Sequence, residues 1–157
     1  MRSLTLERWR WGRSTSQFDN VVIDFDVILI SGPSNNNAGF GVICRLSQRP
    51  DASVDGYMLA ISGDGFYTIR SVTASSMSPL VDWSYSDAVK QGNQLNKVRA
   101  TCNGTELKLE VNGQLLGSAS TIANGATSGA VAFAATSFEV AEPIAEIHFD
   151  NLIVTKP

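Results

Sequence analysis

Alternation of apolar and polar positions begins at residue 21. The run VVIDFDVILI places Val21, Ile23, Phe25, Val27 and Leu29 on one face and Val22, Asp24, Asp26, Ile28 and Ile30 on the other. A period of two with many β-branched residues predicts a strand over 21–30, and the two aspartates mark the second face as the outward one. The next run, GFGVICRLS at 39–47, puts Phe40, Val42, Cys44 and Leu46 on one face and Gly41, Ile43 and Arg45 on the other. Residues 57–62 and 66–72 flank Gly63-Asp64-Gly65 and predict a hairpin. The stretch 97–118, KVRATCNGTELKLEVNGQLLGS, carries Asn103-Gly104 and Asn112-Gly113 between alternating runs. Asn-Gly suits a type I′ turn, which needs positive φ at both central positions, so three antiparallel strands are predicted here. The outward residues Lys97, Arg99, Glu106, Lys108 and Glu110 read as a solvated face, with opposite charges adding ~0.2–1 kcal/mol per cross-strand pair.

The remaining pattern is weaker. Residues 80–83 suggest a short edge strand and 86–90 a helical turn, and small side chains mark a strand over 130–136. A last strand over 145–154 needs a bulge near Asp150-Asn151 if Phe149 and Leu152 are to share a face. Leu4, Leu6, Trp9 and Trp11 alternate with polar residues as a frayed first strand, so 1–16 reads as a partial strand or linker and 17–157 as one domain. No amphipathic helix is evident. The chain is predicted to be an all-β antiparallel β-sandwich with curved sheets.

Composition narrows the function classes. A chain of 157 residues fits one domain with a full core. A formal charge of −3 with scattered lysines and arginines excludes the basic stripe of a nucleic-acid module. No apolar run approaches the roughly 20 residues of a membrane-spanning helix. The basic opening MRSLTLERWRWGRS lacks the apolar core of about 7–15 residues found in a signal peptide. Either a leader or preceding domain has been removed, or export does not use that route. Cys44 and Cys102 are both predicted to face inward, a precondition for pairing; two free buried thiols are the alternative.

The order of motifs resembles a known group. GVICR, then GY, SGDGFYTIR, a Trp-containing segment, NKVRATCNGTELKLEVNG and a closing FDNLIV are similar to concanavalin A-like (laminin G-like) jelly-roll domains related to the 3-keto-disaccharide hydrolase family, in their extracytoplasmic bacterial form. The likeness runs over about residues 18–155. It implies a jelly roll with a concave face where lectin-like relatives bind sugars, a Cys44–Cys102 disulfide, and a place in a secreted or membrane-anchored protein. The first strand typical of these domains is shortened or missing here.

Candidate ligand-binding residues are Arg45, Tyr57, Tyr67, Arg70, Trp83 and the pair Asp24 and Asp26. A sugar site needs aromatic faces for the C–H side of the ring and planar polar groups for the hydroxyls. Arg45 is expected to point away from the inter-sheet core; its competing role is an ion pair with Asp24 or Asp26. Catalytic signals are poor. No Glu-x-Asp-x-x-Glu pattern is present, Glu139, Glu142 and Glu146 are not spaced for one strand face, and His148 is the sole histidine, without a Gly-x-Ser-x-Gly elbow. No cofactor is implied apart from a structural calcium, with Asp51, Asp55, Asp64, Asp150 and Asn151 as candidate ligands. Asn103-Gly104-Thr105 matches the N-glycosylation sequon, which a tight turn also explains. The resulting expectation is an extracytoplasmic, non-catalytic carbohydrate-binding module. The alternatives are a glycosidase-type hydrolase and a structural or sensory ectodomain that contacts protein.

Overall fold

The computed structural model describes residues 9–157. Among these, eleven strands run in chain order: β1 (Arg10–Arg13), β2 (Val21–Ser31), β3 (Ala38–Gln48), β4 (Val54–Ser62), β5 (Phe66–Thr73), β6 (Ser76–Tyr85), β7 (Asn96–Asn103), β8 (Glu106–Val111), β9 (Gln114–Ser120), β10 (Ala130–Ser137) and β11 (Glu146–Thr155). They form a six-stranded sheet, β1-β10-β3-β4-β5-β6, and a five-stranded sheet, β11-β2-β7-β8-β9, and every pairing is antiparallel. Leu4 and Leu6 lie outside the described residues. Trp11 belongs to β1, which pairs with β10 at the sheet margin. β6 is longer than the predicted 80–83, and 86–90 makes a single turn closed by Val89 N–H on Ser86 O (3.1 Å) without becoming a helix.

The two sheets close on each other through the apolar faces that their strands turn inward. On β2, Val21, Ile23, Phe25, Val27 and Leu29 are all buried, as their alternation requires. Phe25 meets Phe133 of the opposite sheet edge-on (centroids 5.5 Å apart), and Phe133 lies 4.4 Å from Phe149. Burying each side chain of this size contributes about 1.5–3 kcal/mol. Cys44 of β3 and Cys102 of β7 form the disulfide, joining the sheets with a Cα–Cα distance of 6.7 Å.

Both ends of the β7–β8–β9 double hairpin are tied to distant chain. At Asn112-Gly113 both φ values are positive (51° and 81°), the type I′ geometry. Asn112 Nδ2 donates to Ala88 O (2.7 Å) and to Asn96 Oδ1 (2.9 Å), while its Oδ1 accepts from Lys97 N–H (2.9 Å). The first turn differs from expectation by one residue. Asn103 pairs with Glu106, so Gly104-Thr105 occupies the two central positions, and Gly104 alone of the pair takes a positive φ (57°). A primed turn with glycine first satisfies the strand twist equally well.

Two bulges change which side chains face the core. In β3, Arg45 and Leu46 both stand between the pairs Cys44↔Tyr57 and Ser47↔Asp55. The extra residue shifts the phase, so Leu46 joins Ile43 on the outer face of the six-stranded sheet instead of following Cys44 inward. In β11 the break lies between Asp150↔Asp26 and Ile153↔Asp24, where a bulge was expected. Val154, not Leu152, rejoins Phe149 on the core side, and Leu152 is left exposed.

Candidate functional site

The outward face of β2 supplies Asp24 and Asp26, and antiparallel register sets Arg99 and Lys97 of β7 directly opposite them. Arg99 engages Asp24 through both carboxylate oxygens, Nε to Oδ1 at 2.7 Å and Nη2 to Oδ2 at 3.1 Å. Lys97 Nζ lies 3.1 Å from Asp26 Oδ1. The β11 bulge adds a third partner. Asn151, in a left-handed conformation (φ 52°), donates Nδ2–H to Asp26 Oδ2 at 2.7 Å. With Glu110 and Ile153 these side chains line an open groove of about 410 Å³ on the outer face of the five-stranded sheet. The face read as solvated from β7 and β8 alone is therefore one wall of a groove, because the β2 carboxylates sit across from it.

The outer face of the six-stranded sheet is filled. Ile43, Met58, Ala60, Ala132 and Ala134 are buried there in one cluster with Trp9 and Phe138. Trp9 and Trp83 each approach Phe138 edge-on, at 5.9 and 5.7 Å. Arg70 is buried on this face, with Nη1 3.6 Å from Asp82 Oδ1.

No protein-family model matches the sequence, and no curated protein matches it. Solved structures do resemble the chain. It is similar to the carbohydrate binding module CBM66 from Bacillus subtilis (12% identity, TM-score 0.72, covering 98% of this chain and 83% of that one). It is also similar to Bacillus licheniformis beta-glucanase (12%, 0.66, 94% and 71%) and to sheep galectin-11 in complex with glycerol (11%, 0.59, 96% and 100%). The likeness spans both antiparallel sheets, since each match covers at least 94% of this chain. The chain has a concanavalin A-like jelly-roll fold.

The jelly roll scatters the seven sequence-derived candidates. Asp24 and Asp26 share the groove. Arg70 and Trp83 share the filled face. Tyr57 is buried between the sheets, its hydroxyl accepting from Ile122 N–H (3.2 Å), and Tyr67 packs against the same inner core. Arg45 departs from the expected orientation. The bulge turns it toward the end of the jelly roll, where Nε donates to Asp19 O (2.7 Å) and Nη2 to Gly104 O (2.9 Å) and Asn20 Oδ1 (3.2 Å). Its expected ion-pair partners, Asp24 and Asp26, are taken by Arg99 and Lys97. Sequence reading gave Lys97 and Arg99 only as a solvated face and Asn151 only as a candidate calcium ligand; the available signal for the groove was the charge complementarity between alternate residues of β2 and β7.

The other polar candidates serve loops and edges. Glu139 accepts from Asn35 and Asn37 Nδ2 (2.8 Å each), and Glu142 from Ser34 N–H and Oγ–H (2.8 Å each). Glu146 meets His148 Nε2 at 2.8 Å on exposed β11. Asp51 caps the turn at Ser53, Asp55 binds Arg49, Asp64 accepts from Ser62 Oγ–H, and Asp150 accepts from Asn151 N–H. Among the described residues no three Asp, Glu, His or Cys side chains gather as a metal-binding group.

The amide of Asn151 and then the ammonium of Lys97 hold the Asp26 carboxyl below its ordinary value of 3.8, against the opposing effect of burial. A depressed folded pKa stabilises the protein above the unfolded pKa, and that contribution is lost as pH falls through the folded value. Asp26→Asn should therefore lower stability at neutral pH yet flatten the loss as pH falls below about 5. Urea midpoints measured across that range check it; parallel curves for the two proteins would refute the linkage.

Proposed function

We propose that this domain is a non-catalytic carbohydrate-binding module that works outside the reducing cytosol. The groove carries the reading. Two carboxylates, a guanidinium, an ammonium and an amide stand side by side there in fixed register, and planar donors and acceptors of this kind suit pairs of sugar hydroxyls. Ile153, 57% exposed, offers apolar surface to the C–H side of a ring. The similar solved structures support it, since they include a carbohydrate binding module and a beta-glucanase. Binding is favoured over cleavage because glycosidic hydrolysis needs one carboxyl with a raised pKa. Among the described residues, the carboxyls whose pKa departs from ordinary, Asp26, Asp51, Asp55 and Glu139, all shift downward. The Cys44–Cys102 bridge supports an oxidising compartment.

Glycan-array screening followed by calorimetric titration of the hits tests the reading. Lys97→Ala and Arg99→Ala should each weaken binding about tenfold, the value of a charge-assisted hydrogen bond. Both cations are largely exposed, losing the exposed Arg99–Asp24 pair costs roughly 0–1 kcal/mol, and the buried Asp26 carboxylate keeps its hydrogen bond from Asn151 without Lys97, so the variants remain folded. A folded domain that binds no glycan, or variants that bind as well as the parent, would overturn it.

A further inference from the structure

Arg45 combines three features that a purely structural arginine does not need together. Its backbone is left-handed (φ 54°), a conformation that costs a non-glycine residue about 1–3 kcal/mol. It sits in a β-bulge, a device that re-aims a side chain. The residue is also only 4% exposed. Nε and Nη2 are held by Asp19, Asn20 and Gly104. Among the described residues no acceptor meets Nη1 and no carboxylate forms an ion pair with the guanidinium, so the group is fixed in place with donors to spare.

Arg45 lines a cleft of about 320 Å³ at the end of the jelly roll with Asp19, Asn20, Gly104, Thr127 and Ser128. Thr127 and Ser128 are exposed on the loop before β10. A second hollow of about 340 Å³ shares Asp19 and Asn20 and adds Asn103 and Lys156. The chemistry of the lining selects the ligand. An anion would meet the Asp19 carboxylate and a cation would meet the guanidinium. A hydroxyl group both accepts and donates, so it satisfies each neighbour in turn.

We propose that this cleft is a second binding site, distinct from the groove, for the hydroxyls of a neutral sugar, with Arg45 Nη1 as donor, Asp19 as acceptor and the Thr127 and Ser128 hydroxyls completing the contacts. The ligand class rests on the carbohydrate reading; the place rests on Arg45. The adjoining hollow leaves room for a second ring.

A ¹H–¹⁵N titration of the full chain separates the two. Methyl glucoside, methyl galactoside and methyl fructoside are each added to about 50 mM, enough to saturate a millimolar site. The proposal expects saturable shifts at Gly104, Asn20 and Ser128 and at the Arg45 side chain with at least one sugar. It expects these to vanish in the Thr127→Val, Ser128→Val double variant, whose changes lie on an exposed loop. Shifts confined to Gly113 and Asn151 would overturn this inference while supporting the groove. No shifts at either place would overturn both, and cleft shifts that persist in the double variant would overturn the assigned contacts.

Discussion

Replacing Cys44 and Cys102 together with alanine is expected to lower the unfolding free energy by about 4 kcal/mol, from the loop-entropy relation for a closed segment of this length. The bridge spans 58 positions of sequence, so the reduced denatured chain gains many conformations that the oxidised one lacks. Both cysteines are fully buried between the sheets, and truncating them adds a cavity cost to the entropic one. Small domains have only about 5–15 kcal/mol to lose. In urea the midpoint should fall and the m-value rise, because a chain without the cross-link exposes more surface on unfolding. A midpoint unchanged from the oxidised protein would mean that β3 and β7 stay together in the denatured ensemble.

Arg45→Ala should cost about 3 kcal/mol. The substitution removes the donor to the carbonyls of Asp19 and Gly104, while Asn20 Oδ1 keeps the Gly104 N–H, and a hydrogen bond from a charged group is worth about 1.5–3 kcal/mol. Backbone conformation supplies a sharper test. Alanine at φ 54° keeps the left-handed strain, whereas glycine adopts that region freely. Arg45→Gly should therefore be more stable than Arg45→Ala by about 1 kcal/mol, although both lack the guanidinium. Denaturant melts of the two variants beside the parent measure the difference; alanine matching or exceeding glycine would refute the assignment of strain to this residue.

Arg45 also marks where sequence reasoning stopped. Period-two alternation placed every inward residue of β2 correctly, and the paired inward phases of Cys44 and Cys102 anticipated the sheet-to-sheet bridge. Alternation assumes one residue per step. The bulge at Arg45 breaks that assumption, so Leu46 was assigned to the wrong side of β3 and Arg45 to the wrong direction. The groove was hidden for a different reason. Asp24 and Asp26 were visible as an interrupted apolar face, and Lys97 and Arg99 as a charged one, but their apposition depends on the register between strands some seventy residues apart. Asn151 was less legible still, since its approach to Asp26 comes from a left-handed residue inside the predicted bulge. Tyr57 and Tyr67 illustrate the remaining ambiguity. An aromatic residue on a strand serves a core and a ligand face equally well, and sequence pattern does not say which sheet will cover it.

The bridge has a mechanical meaning as well. If the domain were pulled from its two ends, the covalent link would carry tension directly from residue 44 to residue 102. The chain over the 58 steps from one to the other, about 200 Å when extended, would bear no load and release no length. That shielded segment contains β4, β5 and β6 and nearly all of β7. Force could extend only the flanking strands unless a reductant first cut the link, so the stretched length of the chain would report its redox state.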